Sequence, residues 1–435
     1  MNILTGIKVG ENVYTSANGV NGHNGRSVNA PAPVVKADVW TRAAWAFLYL
    51  FAFTNMFSIS VAQIFAGLAT VAWVGKWRAD GKAPSFSPLA IPLLLFMILS
   101  LLAATFSVDR FESLKDSKDL FHFAIFLVAF DFARKEIGKI TSIIRILVAG
   151  GAVIAIVGIY QAIQRGVTTA DRINGFNDMY MTYAGLLMLA FVGGMALVSF
   201  DFKGWKDSWL IPALGVIVCA VLLSLTRNAW IGMAAGAFVV LAMRKPVSVA
   251  IIPILAALAL ALAPAGVKDR FTSIFNPNDS ANQERIYIWT AGVKMLTDYP
   301  ALGIGQNSFP KVYPEYRNPN VKEPFISHLH NNILQIAVER GMPCLLAWLA
   351  IWGVAYYSMG MAFRKESVRK GARATGLAVG LGGITAFLSA GMFEYNFGDA
   401  EPQMLALLLL AIGMAAAQYA PSIQIKGEVR PKIRS

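Results

Sequence analysis

The chain has 435 residues, of which 56% are hydrophobic and 14% are charged, whereas an average soluble domain has about 25% charged residues. This composition excludes an ordinary soluble enzyme. The formal net charge is +13, which on a soluble chain would indicate a nucleic-acid partner. Here the basic residues concentrate in short connections between apolar segments, so we expect them to set membrane orientation and predict no nucleic-acid partner.

The first segment, residues 1–38, is polar and rich in Gly, Asn and Ser, which predicts a disordered tail. About twelve apolar segments follow, each long enough, at about 1.5 Å per residue, to cross a hydrocarbon core of about 30 Å. Their centres are Leu48, Gly67, Phe96, Ile125, Val153, Ala190, Val216, Gly236, Ala256, Ala350, Gly380 and Leu410. The sequence therefore predicts an all-α polytopic membrane protein with spans 1–9 in residues 39–265 and spans 10–12 in residues 330–420.

An even number of spans places both termini on one side of the membrane, and the basic residues indicate which side. The connections on the side of the termini carry Lys76, Arg78, Lys82, Arg134, Lys135, Lys139, Lys203, Lys206, Arg244, Lys245, Arg364, Lys365, Arg369, Lys370 and Arg373. The positive-inside rule makes this side cytoplasmic, together with the basic tail of residues 421–435. One short outer loop opposes the pattern, with Arg110, Lys115 and Lys118.

The longest connection, residues 266–329, lies on the opposite, outer side between spans 9 and 10. Long connections of this kind usually have a function. Within it, Ile286, Trp289, Val293 and Leu296 recur at three- and four-residue steps, which predicts an amphipathic helix. We expect this helix to lie on the membrane surface or to cap a cavity.

A histidine pair closes this outer loop, in the run SHLHNNILQIAVERG from Ser327 to Gly341. His330 and Asn331 directly precede an apolar helical face, which predicts a helix N-terminus. The positive end of the helix dipole disfavours protonation of an imidazole, so His330 would be available as a neutral base. The alternative is that His330 only caps the helix. His328 would support it or face water.

Three arginines also lie on the outer side. Arg227 stands in LLSLTRNAWIG between spans 7 and 8, where a cation needs a partner or a ligand unless it extends to the headgroups. Arg285 begins the amphipathic stretch and Arg172 lies in ADRINGFND; both could instead be solvated. Because the planar guanidinium matches phosphate bidentately, such arginines can hold a diphosphate and neutralise its leaving charge without a metal.

A metal site is the alternative. Asp399 and Glu401, in EYNFGDAE with Glu394 nearby, could ligate Mg²⁺ or Mn²⁺, although a solvated loop is the simpler interpretation. The sequence contains no Walker loop, no dinucleotide fingerprint and no HExxH. We therefore expect neither a metal nor a cofactor.

The sequence resembles the O-antigen ligase family of Gram-negative bacteria, which belongs to a wider group with O-antigen polymerases and O-linked oligosaccharyltransferases. The most specific motif is His followed by Asn, Ser or Gln, nine variable residues and Gly, represented here by His330, Asn331 and Gly341. The family continues with Gly, Thr or Tyr three places later, where this chain departs with Cys344. Arg227 and Arg285 resemble the family's arginines.

The resemblance implies a GT-C-like architecture and an inverting, metal-independent glycosyltransferase in the bacterial inner membrane. It would move O-antigen polysaccharide from undecaprenyl diphosphate to a sugar hydroxyl of the lipid A core at the periplasmic face. His330 would be the base, Arg227 and Arg285 would bind the diphosphate, and a lipid groove between spans would take the polyprenyl tail. The supporting residues would be Arg172, His328, Asn331 and Glu394.

Three alternatives remain open at this point. An O-antigen polymerase differs from a ligase only in its acceptor, and a protein-glycosylating relative would be longer at its C-terminus. A lipid or solute transporter without catalysis would place ionisable residues along a mid-membrane pathway. In this sequence the polar residues of interest collect at the outer face instead, which favours the transferase.

Overall fold

The computed structural model describes residues 38–321, 325–365 and 370–419. Residues 1–37 of the predicted N-terminal tail and the whole predicted C-terminal tail, residues 421–435, lie outside these ranges. Within them the chain forms α-helices and short 3-10 turns, without a strand. The predicted all-α class is confirmed.

Sixteen α-helices follow one another along the described chain. They are α1 (Val39–Thr54), α2 (Ile59–Asp80), α3 (Ala90–Thr105), α4 (Arg110–Asp116), α5 (Phe123–Lys135), α6 (Ile140–Arg165), α7 (Tyr180–Asp201), α8 (Leu210–Leu223), α9 (Arg227–Arg244), α10 (Ile251–Leu262), α11 (Ala265–Thr272), α12 (Ser280–Asp298), α13 (Phe309–Tyr316), α14 (Asn332–Lys365), α15 (Ala372–Ala390) and α16 (Ala400–Gln418).

Each predicted span centre lies inside one of these helices, namely α1–α3, α5–α10 and α14–α16. In the described part of the chain, seven helical segments are long and apolar enough to cross a membrane by length and composition, and they contain α2, α6, α7, α8, α14, α15 and α16. Helices α1, α3, α5 and α10 are shorter, and α9 includes Arg227, Asn228 and Arg244 among its 18 residues. The chain is thus a helical protein with several candidate membrane spans.

The centre of the bundle is formed by α15, which packs against α7, α9 and α16. Glycines allow these helices to approach closely. A Cβ on Gly380 would lie 2.6 Å from the Cα of Gly413 on α16, and a Cβ on Gly236 of α9 would lie 2.9 Å from the Gly382 carbonyl oxygen. Small residues at helix contacts are typical of bundles in membranes, where close packing replaces the hydrophobic effect.

Helix α14 is broken at Gly341, whose φ is 78°. At the break, the main-chain N–H groups of Ile304 and Gly305 donate to the carbonyls of Val338 and Glu339, both at 2.9 Å. A Cβ on Gly341 would overlap the Ala301 carbonyl. The glycine of the His-Asn-x9-Gly motif therefore lets the connection between α12 and α13 dock against the opened turn of α14.

The part of the chain that contains α12 and α13 has an apolar cluster of its own, separate from the core of the bundle. Its members come from α12, α13, the connections on either side of α13 and the first turns of α14, and they are Ile288, Ala291, Met295, Ile304, Phe309, Val312, Tyr313, Val321, Ile326, Leu329 and Val338. Helix α12 covers the predicted amphipathic stretch and packs against α14. This cluster gives the segment a fixed shape beside the N-terminus of α14.

Candidate functional site

The N-terminus of α14 is held by two asparagines. The Asn331 side chain accepts from the Leu334 N–H at 3.0 Å, as a helix N-cap does, and donates to the Met392 carbonyl at 3.0 Å. The Asn332 amide donates to Asn396 Oδ1 at 2.7 Å. The predicted helix start is therefore present, and it is tied to the segment between α15 and α16.

His330 precedes this cap with a left-handed backbone, at φ 49°. Positive φ is uncommon outside glycine, and residues held there collect at functional sites. The imidazole is half-buried, and its Nδ1 lies 3.1 and 3.2 Å from the two carboxylate oxygens of Glu394. His330 therefore has a carboxylate partner in addition to its place before the helix.

Glu394 is 6% exposed and also accepts from the Tyr395 N–H at 3.0 Å. Burial by itself raises the pKa of this carboxyl. The hydrogen bond with His330 and the charges of His330 and His328 outweigh burial and lower the pKa to about 2. Glu394 is therefore ionised at neutral pH.

His328 contacts the same carboxylate, with its Nε2 3.4 Å from Glu394 Oε1. Its Nδ1 accepts from the His330 N–H at 3.2 Å, and the two imidazole rings lie edge to face with centroids 4.2 Å apart. Burial lowers the pKa of His328 to about 4, although Glu394 opposes this shift. His328 is therefore neutral at pH 7 and supports the left-handed backbone of its neighbour.

These contacts assign the tautomer of His330. A carboxylate only accepts hydrogen bonds, so Nδ1 carries the proton and donates it to Glu394. The lone pair then resides on Nε2, the other side of the ring. A carboxylate that fixes an imidazole in this way also stabilises the imidazolium formed when Nε2 takes up a proton.

Arg227 is 6% exposed, so it does not extend to the headgroups. Its Nη1 donates to the Ser273 carbonyl at 3.2 Å, to Ser273 Oγ at 3.1 Å and to Asp279 Oδ1 at 3.2 Å. Its Nη2 is buried and has no hydrogen-bond partner among the described residues. Buried polar groups in native proteins are normally paired, so Nη2 is available to a ligand.

Two other predicted arginines lie beside it. Arg285, on α12, is half-buried, and burial lowers the pKa of its guanidinium although Glu394 opposes the shift. The Arg172 guanidinium stacks over the Tyr180 ring at 4.4 Å. The structure thus brings together the arginines that the sequence had distributed over three separate connections.

Arg270, on α11, is a further arginine of the site that the sequence interpretation missed. Its Nε donates to the Leu225 carbonyl at 3.3 Å. Burial and the nearby charges of Arg227 and Arg172 lower its pKa to about 10. The available signal was helical spacing, because Val267 and Phe271 both pack towards the core and place Arg270 on the same face.

These four arginines and His330 line one cavity of about 280 Å³. The other lining residues are Tyr180, Met181, Thr226, Asn228, Ala281, Glu284, Ile288, Phe325, Ile326 and Ser327. We call it the arginine cavity. With four guanidiniums and one lining carboxylate, it has the electrostatic character of a site for a multiply charged anion.

A second cavity, of about 590 Å³, lies beside His328 and Glu394. Asp399 and Glu401, the carboxylates of the metal alternative, line this cavity. Asp399 accepts from Thr182 Oγ1 at 2.5 Å, and burial raises the pKa of its carboxyl. We call it the acidic cavity.

Among the described residues, the group that could hold a metal ion is not the pair of carboxylates that the sequence suggested. His328, His330 and Glu394 each offer one ligand atom, and these atoms lie within 4.8 Å of one another. Asp399 and Glu401 do not belong to this group. A metal at this place would compete with the hydrogen bond that orients His330.

A third cavity, an apolar groove of about 320 Å³, is lined in part by residues close in sequence to those of the arginine cavity. It runs between α7, α8, α9, α10 and α11, and its lining includes Trp230, Leu255 and Phe271. On α9, Trp230 lies three residues after Arg227, and on α11, Phe271 directly follows Arg270. The arginine cavity and the apolar groove thus share three helices, α7, α9 and α11.

Together these features define a helical membrane protein with a polycationic cavity next to a carboxylate-oriented histidine. The family model described as O-Antigen ligase matches residues 212–349, which include Arg227, Arg270, Arg285 and His330. Over these residues the chain is similar to the O-antigen ligase family, in agreement with its sequence motif. No curated protein matches it.

Proposed function

We propose that the protein is an O-antigen ligase. It transfers O-antigen polysaccharide from undecaprenyl diphosphate to a sugar hydroxyl of the lipid A core, with inversion at the anomeric carbon. The observation that carries this proposal is the convergence of His330, Arg227 and Arg285 on one cavity. A base and paired guanidiniums are the groups that this transfer needs.

In this proposal the arginine cavity binds the diphosphate of the donor. Arg227 Nη2 is the free donor, while its Nη1 is fixed by Ser273 and Asp279. Arg285, Arg270 and Arg172 supply the other positive charges that line the cavity and face the diphosphate. Guanidiniums that are already fixed in position stabilise the developing charge without having to reorganise. In many enzymes, electrostatic stabilisation by such preorganised groups accounts for most of the rate enhancement.

His330 is the general base of the proposed reaction. Its Nε2 takes the proton of the acceptor hydroxyl as the oxygen attacks the anomeric carbon. The bond between that carbon and the diphosphate oxygen breaks, and its electron pair leaves on the diphosphate. Glu394 compensates the imidazolium, and a base of this kind contributes about 10² to 10⁴ in rate.

The apolar groove is the proposed place of the polyprenyl tail. Its lining is aliphatic and aromatic and includes Trp230 and Phe271, which are close in sequence to Arg227 and Arg270. A lipid whose headgroup lies in the arginine cavity could therefore keep its chain between α9 and α10. This arrangement suits a donor that enters from the membrane.

The proposal includes a placement in the cell. The enzyme lies in the bacterial inner membrane with about twelve spans and a GT-C-like architecture, its active site is periplasmic and both termini are cytoplasmic. The distribution of Lys and Arg supports this orientation. Residues 266–329, with α12 and α13, then form the periplasmic loop between spans 9 and 10.

The test uses purified protein in lipid nanodiscs. Lipid-linked O-antigen is supplied with lipid A core, and separately alone. We expect transfer to the core with wild-type protein, no transfer with His330→Ala, and retained transfer with His122→Ala as a matched histidine control. Chain growth without core would instead identify an O-antigen polymerase of the same group. Loss of activity in EDTA, restored by Mg²⁺ or Zn²⁺, would contradict the metal-independent mechanism.

A further inference from the structure

The acidic cavity is opposite in charge to the arginine cavity. Its carboxyl groups come from α4 and the turn after it, from the segment before α7 and from the segment around the start of α16, and they are Asp116, Asp119, Asp178, Glu394, Asp399 and Glu401. Burial raises the pKa of Asp399 to about 8, so Asp399 adds little to the negative charge at pH 7. Among its lining residues that the structure describes, Lys118 is the only Lys or Arg. Such a cavity repels anions and attracts hydroxyl and ammonium groups.

Asn228 gives an independent indication of a ligand. It is 8% exposed and lines both the acidic and the arginine cavity. Its side-chain amide makes no hydrogen bond among the described residues. The amide is not among the fully buried atoms without a partner, so it opens onto the cavities that it lines. Because buried amides are normally paired, a ligand at the junction of the cavities is the expected partner.

The hydrogen-bonded pair of Glu394 and His330 also lies where the two cavities meet. His328 and Glu394 line the acidic cavity, and His330 lines the arginine cavity. A molecule in the acidic cavity and an anion in the arginine cavity would therefore meet at the group that we propose as base. This is the arrangement that a transfer between two bound substrates requires.

We propose that the acidic cavity binds the acceptor and selects a sugar without negative charge, either neutral or amine-bearing. The inference rests on the proposed transferase function. The Asn228 amide both donates and accepts, so it can pair with neighbouring hydroxyls of a sugar ring. The carboxylates accept from further hydroxyls, whereas a uronic acid or a phosphorylated sugar is repelled.

The first experiment compares three matched probes: methyl glucoside, methyl glucosaminide and methyl glucuronide. Binding to the protein in nanodiscs is titrated by saturation-transfer NMR, with geranylgeranyl diphosphate present to occupy the arginine cavity. We expect the glucuronide to bind at least about fivefold more weakly than the other two at low ionic strength. Equal binding of all three probes would overturn the proposal.

Charge variants test the cause of this selectivity. The double variant Asp119→Asn, Asp178→Asn should reduce the discrimination against the glucuronide by about fivefold at low salt. Asp171→Asn is the matched control, because Asp171 lies in the same loop as Asp178 and pairs with Arg165 at 3.6 Å outside both cavities. Unchanged discrimination in the double variant would refute the role of the cavity charge.

The variant Asn228→Ala tests whether the Asn228 amide binds the acceptor sugar where the two cavities meet. We expect methyl glucoside to bind about tenfold more weakly. Geranylgeranyl diphosphate, which the four arginines hold, should lose less affinity than the glucoside although Asn228 also lines its cavity, and its binding shows that the variant is folded. Loss of diphosphate binding with intact glucoside binding would overturn the assignment of Asn228 to the acceptor. Failure of geranylgeranyl diphosphate to bind the wild type would count against the proposed function, while the three glycosides would still test the acidic cavity.

Discussion

Replacing Glu394 by Gln tests the orientation of the proposed base. The change keeps the size of the side chain but removes the charge that lies 3.1 Å from His330 Nδ1. Gln can also turn its NH₂ group towards Nδ1, which would favour the tautomer with the proton on Nε2 and leave no free base. We therefore expect the chemical step to slow, with no direct change at the arginine cavity.

The size of the effect follows from the geometry. Two unit charges at this separation interact by about 5 kcal/mol at an effective dielectric constant of about 20. The Gln dipole retains part of this interaction, so we expect a loss of about 3 to 4 kcal/mol of transition-state stabilisation. This corresponds to a fall in kcat of about 10² to 10³.

The assay is single-turnover release of polyprenyl diphosphate, with kcat and KM for the donor measured separately. KM should change little, because Glu394 lines the acidic cavity and not the arginine cavity. His328→Asn is the comparison, since it removes the other imidazole at this carboxylate and should cost no more than about tenfold. A Glu394→Gln enzyme within tenfold of wild-type kcat would refute the assigned tautomer.

Three further predictions concern binding and stability. Arg227→Gln should lower kcat/KM for the donor about 100-fold and Arg227→Lys should restore little, because an ammonium lacks the planar fork; Arg165→Gln is the exposed control, and equal losses in both would contradict the role of Arg227. Gly341→Ala should destabilise the protein by at least about 2 kcal/mol in thermal unfolding, since φ 78° and the Ala301 carbonyl both oppose a Cβ; an unchanged melting temperature would refute this. Because the pKa of His328 is lowered to about 4, the unfolded chain takes up this proton at higher pH than the folded protein. Stability should then fall by about 2 kcal/mol from pH 7 to pH 5, and His328→Asn should abolish this fall.

The sequence predicts those parts of the fold that depend on local patterns. Apolar runs place all the predicted span centres in helices, and three- and four-residue spacing locates α12. The break in α14 is marked locally by Gly341 and by Pro343, which has no N–H to donate to the Glu339 carbonyl. The groups that dock into this opening, the N–H groups of Ile304 and Gly305, are distant in sequence, and no local pattern identifies them.

The same distinction applies to the site. His330 and the arginines are recognisable because charged and titratable residues are rare in this chain. The partnership of Glu394 with His330 depends on the packing of the segment after α15 against the start of α14, which no local pattern contains. Arg270 was missed because a basic residue in a polar loop resembles a solvated one until its neighbours are known.

The number of guanidiniums in the arginine cavity bears on how the reaction ends. A diphosphate that links a lipid to a sugar carries about two negative charges, and it carries about one more when the sugar has left. Four arginines therefore hold the leaving group more firmly than the substrate. In the proposed reaction the rate-limiting step is then the release of the lipid diphosphate. Turnover increases with ionic strength, because salt screens the attraction between the arginines and the diphosphate.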